Sequence, residues 1–272
     1  MTNPKRIFCL TGGRTGTMFL SHLISANTDI TSVHEPLGVV DFGTRMPDIR
    51  TMRMFNEKGF NTEVKSFWKR KFALLPTTGN YIETNHTLAK CGLIEHIMSS
   101  PELQRSTTII SLGRADKVSN AISHLKRGDF QNFTTDWQWY LNMRYKNLIV
   151  NPGPFLEYGR AGYIFWFIEE LSARQEYYKT LYSHKIKFVD AVLEQISKDE
   201  GASKLLSDLE LGELKTIPQA ANQSSQSNDP AMVQTMKDVF EKTRGLANEA
   251  ANQYFKAGKR LHIDSLNNPQ LP

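Results

Sequence analysis

The chain has only two cysteines, Cys9 and Cys91, each set among apolar or small neighbours. Such thiols cannot build a disulfide framework or a cysteine-based zinc site, and both read as buried and reduced. No stretch approaches the roughly 18 apolar residues of a membrane span. The apolar run ahead of Gly12 is too short for a signal peptide, so a cytoplasmic protein is expected. Neither sign of charge dominates: 33 basic residues against 28 acidic ones leave a net charge of +5, with the basic residues scattered. That balance suits an anionic ligand without marking a nucleic-acid binder.

What is present describes an ordinary globular protein, 40% hydrophobic and 22% charged over 272 residues, with 15 Phe to fill a core. One domain spanning 1–272 is expected, with a helical C-terminal extension at 231–260. Short apolar or β-branched runs at 6–10, 30–33, 81–84, 107–112 and 186–189 read as strands. Helical periodicity occupies 17–26, the region of Leu93, Ile94 and Ile97, 116–126 up to Gly128, and the long run 161–182. Strands alternating with helices predict an α/β protein, a P-loop-like three-layer fold with a central mostly parallel sheet flanked by helices. Pro36 ends the second strand. Residues 43–71, rich in Arg, Lys and Met, read as helices and loops covering one edge. The polar stretch 216–230 reads as a loop or lid.

Four unusual stretches follow predicted strands: "TGGRTGTM" (11–18), "HEP" (34–36), "TNHT" (84–87) and "LGRADK" (112–117). A parallel sheet places all four on one edge, where ligands of open α/β folds bind. In the first, Gly12, Gly13 and Gly16 let backbone N–H groups approach an anion, Arg14 can fork onto its oxygens, and Thr17 offers a hydroxyl at a helix start. Taken alone, a glycine bend that merely lets helix and strand pack closely explains the turn equally well. The nucleotide P-loop pattern G-x-x-x-x-G-K-[ST] is not met, because Gly12 and Gly16 are one residue too close and Thr17 stands where Lys should follow.

"RTGTM", Arg14, Thr15, Gly16, Thr17 and Met18, resembles the first turn of sulfotransferases that use 3′-phosphoadenosine 5′-phosphosulfate. The resemblance implies that this loop grips the donor's 5′-phosphosulfate. In the same family an Arg leaving a strand and a Ser eight or nine residues later hold the 3′-phosphate, and Arg114 with Ser123 fits that pattern. "GRADKVSNAISHLKR" looks most like the bacterial branch that includes trehalose sulfotransferases. Asp116 replaces the Pro that many relatives carry, which keeps Ser119 as a weaker candidate for that phosphate. Alone, Arg114 reads as a helix-flanking surface residue and the two serines as polar helix positions; the order and separation of both motifs favour the family.

The resemblance further implies a metal-free, in-line transfer to a hydroxyl or amine, leaving adenosine 3′,5′-bisphosphate. Negative charge grows on the oxygen leaving with the 5′-phosphate, and Arg14 with the N–H groups of Gly16 and Thr17 meets it. A base must take the acceptor's proton. Glu35 is the first choice, provided that partial burial raises its pKa toward neutrality; in the branch resembled, a Glu at this point is the proposed base. His86 is the second, as a strand-end His serves in cytosolic relatives, and His34 is a distant third. Lys90, one turn into the helix after His86, could help neutralise the donor; as simpler readings, Glu35 caps the next segment, His86 is a hydrogen-bonded supporting residue and Lys90 a solvated helix lysine. Trp137, Trp139, Tyr140, Phe165, Trp166 and Phe167 read most simply as core, though Trp137 and Trp139 lie in a segment that could line an acceptor site. A homodimer is a further expectation, since relatives of the branch often dimerise. Two rivals remain: a P-loop kinase or NTPase with Asp190 on magnesium, and a non-catalytic nucleotide-binding module.

Overall fold

Strand β1 (Arg6–Leu10) has Ile7, Phe8, Cys9 and Leu10 all fully buried in the computed structural model, which describes residues 4–35, 41–131, 140–219, 229–259 and 261. A strand buried on both faces belongs inside a parallel sheet covered by helices. β2 (Thr31–His34), β3 (Tyr81–Thr84), β4 (Thr107–Gly113) and β5 (Lys187–Val192) complete that sheet in the order β2-β3-β1-β4-β5. Every pairing is parallel, with Arg6 opposite Tyr81 on one side and Thr107 on the other. The expected three-layer α/β fold is therefore the one observed.

The helices are α1 (Thr17–Asn27), α2 (Ile49–Lys58), α3 (Thr62–Ala73), α4 (Leu93–Met98), α5 (Pro101–Ser106), α6 (Lys117–Arg127), α7 (Gly159–Tyr182), α8 (Leu193–Ile196), α9 (Asp199–Asp208), α10 (Pro230–Thr243) and α11 (Leu246–Lys256). Alternation along β1 divides the core in two. Ile7 and Cys9 meet α1 and α9 on one face through Leu20, Leu23, Ile24 and Leu205. Phe8 and Leu10 meet the larger layer of α2, α3, α4, α7 and α10 on the other. Within it, α7 is buried continuously from Gly162 to Leu171, so Phe165, Trp166 and Phe167 are core as expected.

One expectation is corrected and two gain detail. The segment 43–71 supplies α2 and α3, which pack on a sheet face and not along an edge: Met52, Phe55, Phe67 and Trp68 are buried with Phe8, and Lys71 is buried against Glu83 at 2.7 Å. The C-terminal extension is two helices, broken at Gly245 with φ 89°, and Met236 and Val239 of α10 join the main core. The stretch 216–230 begins tied down, because the buried Asn27 side chain accepts from the N–H groups of Lys215 and Thr216 at 2.6 and 2.8 Å. Residues 220–228 of the expected lid, Pro36, Trp137 and Trp139 lie outside the described residues. Cys9 and Cys91 are buried free thiols, and burial pushes Cys91 up to about 12. Among the described residues no helix is long and apolar enough to cross a membrane.

Chain direction sets the position of the site. From β1 the chain leaves toward β2, past the place that β3 later fills, whereas from β4 it leaves in the opposite sense toward β5. The carboxyl ends of β1 and β4 therefore flank the point where neighbouring connections diverge, and a crevice forms there. Gln175 of α7 bridges it from below, donating to Leu10 O at 2.7 Å and Leu112 O at 3.1 Å. These two carbonyls are thereby satisfied at the ends of the strands.

Candidate active site

After β1 the chain turns through Gly13 (φ 90°), Arg14 (φ 55°) and Gly16 (φ 89°), three left-handed residues within four positions. Such turns direct successive N–H groups into one concavity, suited to an anion. Gly16 is also the N-cap of α1, where no side chain caps the helix and no acidic residue occupies the first turn. Thr11 and Thr15 share a short hydroxyl hydrogen bond beneath the turn. Gly16 has a second constraint, since a Cβ there would lie 2.4 Å from Leu193 Cδ1. Replacing Gly16 by Ala adds left-handed strain of about 1–2 kcal/mol to that clash. A lower thermal midpoint is the expected result, read by melting curves of the two proteins.

Helix α6 braces the turn. Asn120 donates to Arg14 O at 2.9 Å, and Arg14 Nε donates to Ser123 Oγ at 3.0 Å. The two sequence motifs are thus joined directly through Arg14 and Ser123. Arg114 stands at the end of β4 and faces Glu194, with Nε 3.5 Å from its Oε1. That Nε is buried and lacks a hydrogen bond. No hydrogen bond joins Arg114 to Ser123 among the described residues. Ser119 serves α6 itself: its N–H and hydroxyl both donate to the N-cap residue Asp116. Gly12 lies against the core, where a Cβ would meet Leu171 and Phe167 at 3.5 Å. Thr17 and Met18 open α1, with Thr17 buried.

Glu35 follows β2 and His86 follows β3, and the pairing of these strands brings them together: Glu35 Oε1 is 2.7 Å from His86 Nδ1. Glu35 adopts φ 40°, unusual for a residue with a side chain, and its N–H donates to Thr84 O at 3.1 Å. Strain of this kind persists only where surrounding bonds hold it, as this pair of contacts does. His86 also adjoins the glycine turn, because a Cβ on Gly13 would lie 3.5 Å from His86 Cβ. His34 is held elsewhere, with Nδ1 at 3.0 Å from Thr84 Oγ1.

The electrostatics reverse the condition set for Glu35. Burial alone would raise its pKa, but the His86 hydrogen bond and the charges of His86, His34 and Lys90 outweigh it and bring the carboxyl down to about 2. His86 is pushed down by burial first and by Lys90 second, against the pull of Glu35. Near neutral pH the pair is a carboxylate facing a neutral imidazole. An ionised carboxylate can only accept, so the ring proton lies on Nδ1 and Nε2 carries the lone pair. Among the described residues nothing hydrogen-bonds to Nε2, and the ring retains 16% side-chain exposure.

Lys90 departs from its simpler reading: it is fully buried, with Nζ 5.4 Å from the Tyr140 ring centroid and 5.3 Å from that of Phe167. Burial drops its pKa to about 7. The Tyr140 ring lies 6.3 Å from His86 and 5.6 Å from His124, whose Nδ1 is 2.9 Å from Asp129 Oδ2. Asn120, Gln175, Glu194 and the buried state of Lys90 escape sequence reading. All four act on partners far away in the chain, and no local pattern announces such contacts.

Two solved structures align with almost the whole chain. One is a sulfotransferase from Alicyclobacillus acidocaldarius, 12% identical with a TM-score of 0.47, covering 96% of this chain and 98% of its own. The other is a sulfotransferase domain from the curacin biosynthetic pathway, 10% identical with a TM-score of 0.45, covering 96% and 100%. No family model and no curated protein matches the sequence. Asp190, the magnesium ligand of the kinase reading, is exposed and pairs with Lys179 at 3.0 Å. Among the described residues no three His, Cys, Asp or Glu side chains gather as metal ligands.

Proposed function

We propose that the chain is a sulfotransferase that moves a sulfuryl group from 3′-phosphoadenosine 5′-phosphosulfate to a hydroxyl or amine of a small-molecule, sugar or lipid acceptor. The observation that carries this reading is the Glu35–His86 pair set against Gly13 of the left-handed turn, an arrangement that suits a proton acceptor next to a bound phosphate. A helix end by itself contributes only about 0.3–1 kcal/mol toward an anion, so fixed cations must supply the rest. Arg14 at the turn and Arg114 at the end of β4, with its buried Nε open to a further hydrogen bond, suit the two phosphate-bearing ends of such a donor.

The bound donor supplies an activated sulfuryl group on its 5′-phosphate. His86 Nε2 accepts the proton of the acceptor as its oxygen or nitrogen bonds to sulfur, while the bond from sulfur to the 5′-phosphate oxygen breaks. Glu35 holds the imidazole in the tautomer that leaves Nε2 basic. Arg14 and the N–H groups at the start of α1 then offset the charge left on the departing phosphate. Glu35 is in this account the partner of the base, and His86 the group that touches the acceptor.

The deciding experiment incubates the protein with sulfur-labelled donor and a metabolite extract and identifies the labelled product. A labelled product that vanishes with His86→Ala supports the reading. A protein that binds the nucleotide but labels nothing would be a binding module, and a magnesium-dependent transfer of phosphate from ATP would make it a kinase.

A further inference from the structure

Leu193 and Glu194 open α8 immediately after β5, and between them they touch both turns that the proposed donor would use. Leu193 lies against Gly16, close enough that even one methyl group there would overlap it, at 2.4 Å. Glu194 accepts from Ala115 N–H at 3.0 Å through Oε2 and from Asp116 N–H at 3.4 Å through Oε1. The same Oε1 is 3.5 Å from Arg114 Nε. One two-residue corner therefore rests on the start of α1 and on the start of α6 simultaneously.

We infer that Glu194 is a positioning residue, which aims Arg114 at the 3′-phosphate of the donor while Leu193 sets the distance between the two anion-gripping turns. The inference rests on the sulfotransferase reading. Its geometry is that of a carboxylate facing one edge of a guanidinium. The contact is on Nε, so the terminal amino groups are left for a ligand, in the bidentate manner that Arg uses for phosphate. The contact also stops short of a hydrogen bond, since Nε remains without one. Arg114 is thereby biased in direction and still able to tighten onto an anion.

Glu194 is itself anchored. Both carboxylate oxygens are engaged by the turn it faces. Burial favours the protonated acid, but the N–H bonds and the Arg114 charge hold Glu194 below the usual carboxylate range, so it stays ionised. An opposite role, in which the carboxylate occupies the place of the phosphate and competes with it, requires the side chain to leave these donors. The two roles predict opposite signs when the charge is removed.

The test compares adenosine 3′,5′-bisphosphate with adenosine 5′-monophosphate by calorimetry. Glu194→Gln is expected to weaken the bisphosphate about three- to tenfold and leave the monophosphate unchanged. In an Arg114→Gln background the same replacement should add nothing, because the two residues act as a unit. Glu194→Asp keeps the charge and shortens the reach, so it should lose part of the preference; if Glu194→Gln fails to fold, this variant decides alone. Equal weakening of both nucleotides, an unchanged preference, or tighter bisphosphate binding overturns the inference while sparing the donor assignment. A wild-type protein that binds the two nucleotides equally removes the donor assignment itself and this inference with it.

Discussion

Replacing His86 by Ala is expected to cut turnover by about 10²–10⁴-fold, the usual contribution of a positioned proton acceptor. On the sulfotransferase reading, binding of adenosine 3′,5′-bisphosphate should stay within about twofold, since the hydrogen bond of His86 goes to Glu35 and not to the glycine turn. The pH profile supplies an independent sign. His86 must be neutral to work, so turnover falls as pH drops through its depressed pKa, below the ordinary value of 6.5. Glu35→Gln lowers the plateau and moves that acid limb to still lower pH, because Glu35 raises the pKa of its partner. If Glu35 were itself the base, its pKa of about 2 would leave the profile flat across the range where His86 titrates. Glu35→Gln would then abolish turnover while His86→Ala spared most of it. Stopped assays across pH on the three proteins decide between these outcomes.

Breaking the buried pair of α7 should produce the largest loss of stability. Glu170 and Arg174 are fully buried at 2.7 Å, one helical turn apart. Glu170 also accepts from the N–H groups of Ile149 and Val150 at 3.0 and 2.7 Å, and Arg174 donates to Asn56 Oδ1 and Asn147 O at 2.9 and 2.8 Å. The pair thus ties the segment before α7 and helix α2 to the central helix. Removing one partner leaves an uncompensated buried charge, at about 3–5 kcal/mol. Arg174→Leu should therefore lower the thermal midpoint by roughly 6–20 °C. The double variant Glu170→Met with Arg174→Leu removes both charges and should recover part of the loss. It cannot recover all of it, since the N–H groups of Ile149 and Val150 stay unpaired at about 1–3 kcal/mol each. A double variant no better than Arg174→Leu alone would show that the hydrogen bonds, not the charges, dominate.

Much of the layout was legible along the chain. The strands at 6–10 and 81–84 coincide with β1 and β3, and the helix expected to close at Gly128 ends there, with Gly128 left-handed at φ 82°. Glycines that need positive φ and β-branched runs that need two buried faces leave local marks. The candidate site was legible as a set of addresses: "TGGRTGT", His34 with Glu35, "TNHT" and "LGRADK" do lie on one side of the sheet, because a parallel sheet has one carboxyl edge. Contacts between those addresses were not. Ser123 faces Arg14 and not Arg114, Ser119 is taken by Asp116, and Lys90 lies under two aromatic rings instead of in solvent.

The sequence by itself determined which residues turn, which are apolar, and in what order strand ends follow one another, since each depends on a few neighbouring side chains. Only the tertiary structure decided which strand ends are adjacent, and hence that Glu35 meets His86 and that Glu194 meets Arg114. The proton affinities were decided there as well. Burial and the charges of residues distant in the chain fix them, and they hold the Glu35 carboxyl low and push the His86 imidazole down.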